Sequence, residues 1–163
     1  MIQDRILQVM FVLFLALLVA VILVPFAFSY GTFLHLDGSP SVIDHDWSQY
    51  GVGGWIYSLG DLICHQEQSR SFILNGSQMP ICMRDVGLLI GFVIGLFACM
   101  HLKENIREKR YLMNGALMLL LTFMEWSLEA LLSIDLPVSR FILGIVSGIG
   151  AALIIGYALR KTE

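Results

Sequence analysis

An all-α bundle of four membrane-spanning helices, with a short interfacial helix in its longest connection, is the fold that this sequence predicts. Three observations lead there. Hydrophobic residues make up 57% of the 163 positions and charged residues only 14%, whereas soluble domains are nearer one quarter charged. The mean hydropathy is +0.77. Four apolar stretches are long enough, or nearly so, to cross a hydrocarbon core ~30 Å thick, which takes ~20 residues in a helix. The length suits a single membrane domain over 1–163. A net charge of −3 and the absence of a long basic run argue against a nucleic-acid partner.

The first span is read at about 6–28, "ILQVMFVLFLALLVAVILVPFAF", with Gln8 its one strongly polar member. A cleaved signal peptide is the competing reading because Arg5 precedes the apolar run. The run exceeds the ~7–15 residues of a signal core and lacks a small-residue cleavage site, which favours a retained helix. The second span, about 86–102, is short and free of Asp, Glu, Lys and Arg. The third, about 111–134, contains Glu125 and Glu129, and the fourth covers about 141–159. Gly87, Gly91 and Gly95 recur every four residues on the second span. Gly144, Gly148, Gly150 and Ala151 do similar service on the fourth, so both helices carry faces suited to close packing.

Basic residues set the orientation, since Lys and Arg collect on the cytoplasmic side. Lys103, Arg107, Lys109 and Arg110 fall between spans two and three, Arg160 and Lys161 follow span four, and Arg5 precedes span one. A multi-pass protein of the cell membrane with both termini cytoplasmic accounts for all three groups. The segment 29–85 is then extracytoplasmic. Its first part, rich in Gly, Ser and Asp, reads as loop with a turn of helix. "WIYSLGDLIC", residues 55–64, is too short to span and reads as an interfacial helix anchored by Trp55 and Tyr57. Asn75-Gly76 signals a turn; the sequon Asn75-Gly76-Ser77 is better explained by that turn than by glycosylation.

Polar residues concentrate around this segment. In this topology Cys64, His65, Arg70, Cys82, Arg84, Asp85, Glu125, Glu129 and Arg140 all lie at the outer level and can line one outward-facing pocket. Cys82 and Asp85, three apart at a helix start, share a face. With Cys64 and His65 they form a ligand set of the types that zinc takes in fours. A Cys64–Cys82 disulfide explains the same spacing, since an extracytoplasmic location permits one, and two thiols without either role are the third alternative. Met79 and Met83 flank Cys82 and read as packing residues. Cys99 reads as a core thiol, and His35 and His45 as solvated; Asp44, His45 and Asp46 have the residue types to bind a cation but form only a loose cluster.

Glu125 and Glu129 sit one turn apart on one helical face. Ionisable groups inside a span cost ~2.5–3.5 kcal/mol each even on lenient scales, so they pair, face water or work. An ion pair with Arg140 that locks packing is one reading; a proton, metal or catalytic role for the two glutamates is the other.

The stretch "CHQEQSRSFILNGSQMPICMRDVGLLIG", residues 64–91, resembles the signature of the uncharacterised prokaryotic integral membrane-protein family called domain of unknown function 2085. The positions that carry the resemblance are Cys64, His65, Gln66, Arg70, Ser71, Phe72, Cys82, Arg84 and Gly87, with Glu125, Arg140 and Gly144 further on. Asp85 stands where the resemblance implies a cysteine, and Pro137 where it implies a polar residue. The first departure removes a Cys-x-x-Cys dithiol and suits a metal, because carboxylate can replace thiolate at zinc.

The functional expectation is therefore a small membrane protein with an outward-facing metal site, Zn²⁺ by its ligand types, on Cys64, His65, Cys82 and Asp85. Arg70, Arg84 and Arg140 would flank the ligands or contact a substrate, and a metal-bound water would support hydrolysis near the membrane surface. Two other classes stay open: a thiol–disulfide redox protein using Cys64 and Cys82, and a non-enzymatic subunit that docks a larger membrane partner or a second copy of itself through its glycine faces. The bilayer itself is the one partner common to all three.

Overall fold

The computed structural model describes residues 2–39, 41–102, 108–132 and 136–161. Five α-helices dominate it: α1 Ile2–Leu23, α2 Gly51–Ile63, α3 Met83–Leu102, α4 Lys109–Leu132 and α5 Pro137–Lys161. A hairpin of two short antiparallel strands, β1 Ile73–Leu74 and β2 Ser77–Gln78, lies between α2 and α3. Four helical stretches are long and apolar enough to cross a membrane: Ile2–Ala27, Met83–Leu102, Lys109–Leu132 and Pro137–Lys161. All four expected spans are present. All four start earlier than the apolar pattern alone implied, α1 at Ile2, α3 at Met83, α4 at Lys109 and α5 at Pro137. Proline is tolerated at a first helical position, where its missing N–H has no intrahelical partner anyway. The basic residues Lys103 and Arg107 and the end of the third span at Ile134 lie outside the described residues.

The chain divides into two compact units, Met1–Ala16 with Arg84–Glu163, and Leu17–Met83. The first, the helical unit, is built on glycine contacts. A Cβ at Gly91 would collide with the Ile145 carbonyl of α5, and a Cβ at Gly148 with the Leu88 carbonyl of α3. The two backbones thus touch over the length that the glycine repeats cover, a packing mode that bilayer helices favour because lipid supplies no hydrophobic drive for association. Gly115 of α4 meets Gly150 of α5 in the same way, and Thr122 Oγ1 donates to the Leu143 carbonyl across that contact at 3.0 Å. Leu7, Phe92, Leu96, Cys99, Ala152 and Leu153 form the core. Cys99 is a core thiol, as expected, donating to the Ala152 carbonyl at 3.4 Å. Arg160 pairs with Asp4 at 2.8 Å.

The second, the loop unit, has an aromatic core of Phe33, Trp47 and Tyr57 with Val24 and Leu36. The Trp47 and Tyr57 rings stack at 5.3 Å. This corrects one expectation: Tyr57 is fully buried and donates its hydroxyl to the Gln78 carbonyl at 2.7 Å, while Trp55 is exposed. The two residues lie on different faces of α2, and only Trp55 has an anchor's exposure. Asn75 and Gly76 both adopt positive φ, 51° and 67°, as the tight hairpin turn requires. Asn75 Nδ2 also donates to the Pro25 and Phe28 carbonyls at 3.1 and 3.0 Å, so the sequon's asparagine is committed to the turn.

Candidate metal centre and buried ion pairs

Cys64 ends α2 and is buried; its N–H donates to the Gly60 carbonyl at 2.8 Å. Cys82 immediately precedes α3 and is partly buried. The Cys82 N–H donates to Cys64 Sγ at 3.3 Å, and the two sulfurs lie within 4.8 Å of each other without a bond between them. Eighteen residues of sequence separation are closed by a buried amide frame. Gln66, wholly inaccessible, donates through Nε2 to the Pro80 carbonyl at 2.7 Å and the Tyr57 carbonyl at 3.2 Å. Gln78, also inaccessible, donates back to the Gln66 carbonyl and to Ser71 Oγ. Gly60 packs so tightly on Pro80 that a Cβ would collide with its carbonyl. Each bond satisfies a group that burial would otherwise penalise by about 1–3 kcal/mol, so the frame holds the two thiols at a defined separation.

Asp85 follows Cys82 by three residues and sits, partly buried, in the first turn of α3. The positive end of the helix dipole favours an anion there. His65 is exposed beside Cys64; successive residues in extended backbone point apart, and His65 does not join the donors that gather around the thiols. Its backbone carbonyl instead accepts from the Gly38 N–H at 2.7 Å. Arg70 pairs with Glu67 at 3.0 Å, both side chains well exposed.

The other expected residues gather within the helical unit. Arg84 Nη2 reaches Glu125 Oε2 at 3.0 Å and Glu129 Oε2 at 2.9 Å. Arg140 Nε binds both oxygens of Glu129, at 2.9 and 2.7 Å. Ser139 Oγ donates to Glu125 Oε1 at 2.8 Å and the Leu136 N–H to Glu129 Oε1 at 3.2 Å. Arg140 therefore pairs with Glu129, while Arg84 bridges the two glutamates. Two guanidinium charges balance two carboxylates, which is how charges persist at helix–helix contacts.

Sequence reasoning passed over Asp61. It is wholly inaccessible, and its Oδ2 accepts from Trp47 Nε1 at 2.9 Å and from the His45 N–H at 3.2 Å. The His45 ring stands 3.4 Å away through Nδ1, which corrects the expectation that His45 is merely solvated. One signal was available: Asp61 is the lone carboxylate in the apolar stretch 55–64. Gln66 was marked only by the family resemblance, and Gln78 had no signal, because uncharged amides do not stand out by composition.

A family model described as "Predicted membrane protein (DUF2085)" matches residues 64–154. The chain belongs to this family. The match opens on Cys64 and takes in Cys82, all of α3 and α4 and most of α5. Uncharacterized protein MJ1492 of Methanocaldococcus jannaschii is 35% identical over 49 residues, which cover 30% of this chain and 31% of that protein. The chain thus aligns with less than a third of this relative's length. No solved structure matches. Family and helices together describe a membrane protein with four apolar helices suited to repeated crossing.

Proposed function

We propose that this membrane protein holds a divalent ion of zinc type on Cys64 and Cys82, with Asp85 as a third ligand and water as the fourth. The observation that carries the reading is the pair of thiols, far apart in sequence, held within 4.8 Å by buried amides. Two sulfurs on one tetrahedral zinc stand about 3.8 Å apart, from bonds of about 2.3 Å, so the thiols need only a small adjustment. Asp85 supports it through helical spacing: three residues beyond Cys82, a carboxylate projects to the same side. The ligand set is two thiolates and one carboxylate, types that zinc accepts together. The distribution of Lys and Arg along the sequence supports an outward-facing position for this site.

The test is elemental analysis of the full chain purified in detergent, beside Cys64→Ser and Cys82→Ser. The expected result is one zinc per chain in the parent and its loss from both variants. Free thiols are counted with and without reductant on the same samples. A parent without metal, whose thiol count rises by two on reduction, would overturn the reading in favour of a disulfide.

A further inference from the structure

We propose a second site, in the loop unit and independent of the thiols, that binds a small organic cation of the alkylammonium class. The loop unit contains a cleft of about 400 Å³ lined by Ile43, His45, Asp46, Trp47, Trp55 and Ser58, among others, a volume within the range of small-molecule sites. Three features select the ligand class.

The first is aromatic. Trp55 is 73% exposed, although it belongs to the same helix as the buried Tyr57. Trp47, on the opposite side of the sequence turn, has its indole N–H committed to Asp61 and its ring held against Tyr57. Trp47 is therefore a fixed, largely buried part of the lining, and Trp55 is the indole with exposed surface. Indole faces attract cations through the ring quadrupole, and tryptophan does so best.

The second is charge. Asp46 lines the cleft, and its carboxylate accepts from the Ser48 N–H at 3.0 Å. Hydrogen bonds from the Ser48 side chain and backbone hold the Asp46 carboxyl below its ordinary value, so it is an anion at neutral pH. In the loop unit Arg70 is the single lysine or arginine and it pairs with Glu67, which leaves four further acidic residues, Asp37, Asp44, Asp46 and Asp61. The field over the cleft is therefore negative, and it raises the local concentration of cations. An anionic ligand would meet no fixed positive charge on these walls.

The third is donor spacing, which separates an organic cation from a metal. Among the described residues, the compact donor group is that around Cys64 and Cys82, not the carboxylates near this cleft. One carboxylate at the edge of an apolar, aromatic cleft matches a diffuse alkylated charge better than a hard ion that requires six or more oxygens. Such a cation reaches the protein free in solution or as the headgroup of a lipid; the shared chemistry is the quaternary or primary ammonium.

The experiment uses the full chain in detergent with choline chloride as probe, read by calorimetry, and 3,3-dimethylbutanol as the uncharged isostere. Saturable choline binding, weakened roughly 2- to 30-fold in Asp46→Asn and in Trp55→Ala, with no heat from the isostere, supports a free cation. In a second arm the protein is reconstituted with equal phosphatidylcholine and phosphatidylglycerol, re-extracted, and its retained lipid weighed by native mass spectrometry. Selective retention of phosphatidylcholine that Asp46→Asn abolishes supports a headgroup. Failure of both arms, equal binding of the isostere, or binding unchanged in both variants overturns the proposal. Zinc content in Asp46→Asn remains that of the parent, so the two sites are told apart.

Discussion

Replacing Glu129 with glutamine removes one negative charge and keeps the side chain's shape. Glu129 accepts from Arg140 Nε through both oxygens, from Arg84 Nη2 and from the Leu136 N–H. Its side chain is 5% exposed and that of Arg140 9%. In the parent, Arg84 and Arg140 balance Glu125 and Glu129. In Glu129→Gln, Arg140 loses the carboxylate that both its short contacts reach, while Arg84 keeps Glu125. Stripping one member from a buried pair costs about 3–5 kcal/mol, because the survivor's charge is uncompensated. The amide oxygen still accepts one hydrogen bond, which places the expected loss near ~3 kcal/mol. The double variant Glu129→Met with Arg140→Met removes both charges and is expected to lie within about 1–2 kcal/mol of the parent. Helix content followed by circular dichroism through a sodium dodecyl sulfate titration in mixed micelles gives the comparison. A loss below about 1 kcal/mol in Glu129→Gln, or a double variant weaker than the single, would refute the argument that charge balance holds this junction.

Three further outcomes are expected. Gly91→Leu drives a side chain into the Ile145 carbonyl and destabilises the helical unit by about 1–3 kcal/mol, whereas Ile94→Leu, at an exposed position, leaves the same titration unchanged. Asp61→Ala strips the Trp47 indole of its acceptor; a loss of about 1–3 kcal/mol and a weakened near-ultraviolet tryptophan signal are expected, and an unaltered spectrum would contradict the buried-carboxylate assignment. Burial pushes the Tyr57 phenol above its ordinary value, so its contribution to stability is intact below the unfolded phenol's value of ~10 and declines as pH rises beyond it. Tyr57→Phe is expected to start about 1 kcal/mol lower, through loss of the bond to Gln78, and to lose less between neutral and alkaline pH; equal alkaline losses in the two proteins would count against burial as the cause.

Helix number and the glycine faces were legible in the residues because each is a local pattern. A run of apolar side chains long enough for the bilayer can satisfy its backbone only as a helix, and a four-residue glycine repeat marks one side of it. Gly91 against Ile145 and Gly148 against Leu88 are where those repeats lead. The Asn75-Gly76 turn belongs to the same class, since its positive φ values follow from the residues themselves.

Partner choice was decided elsewhere. Both Glu129 and Glu125 were visible as costly charges, but spacing along a helix does not say which arginine each one meets; packing assigned Arg140 to Glu129 and left Arg84 to bridge both. Tyr57 and Trp55 are two residues apart and equally aromatic, yet one is buried and the other open, because only the chain that returns over α2 determines which face is covered. The closeness of Cys64 and Cys82 is of this kind too. The sequence by itself determined that two thiols flank a turn between membrane helices; only the tertiary structure, through Gln66, Gln78 and Pro80 bonded across that turn, decided that their sulfurs meet.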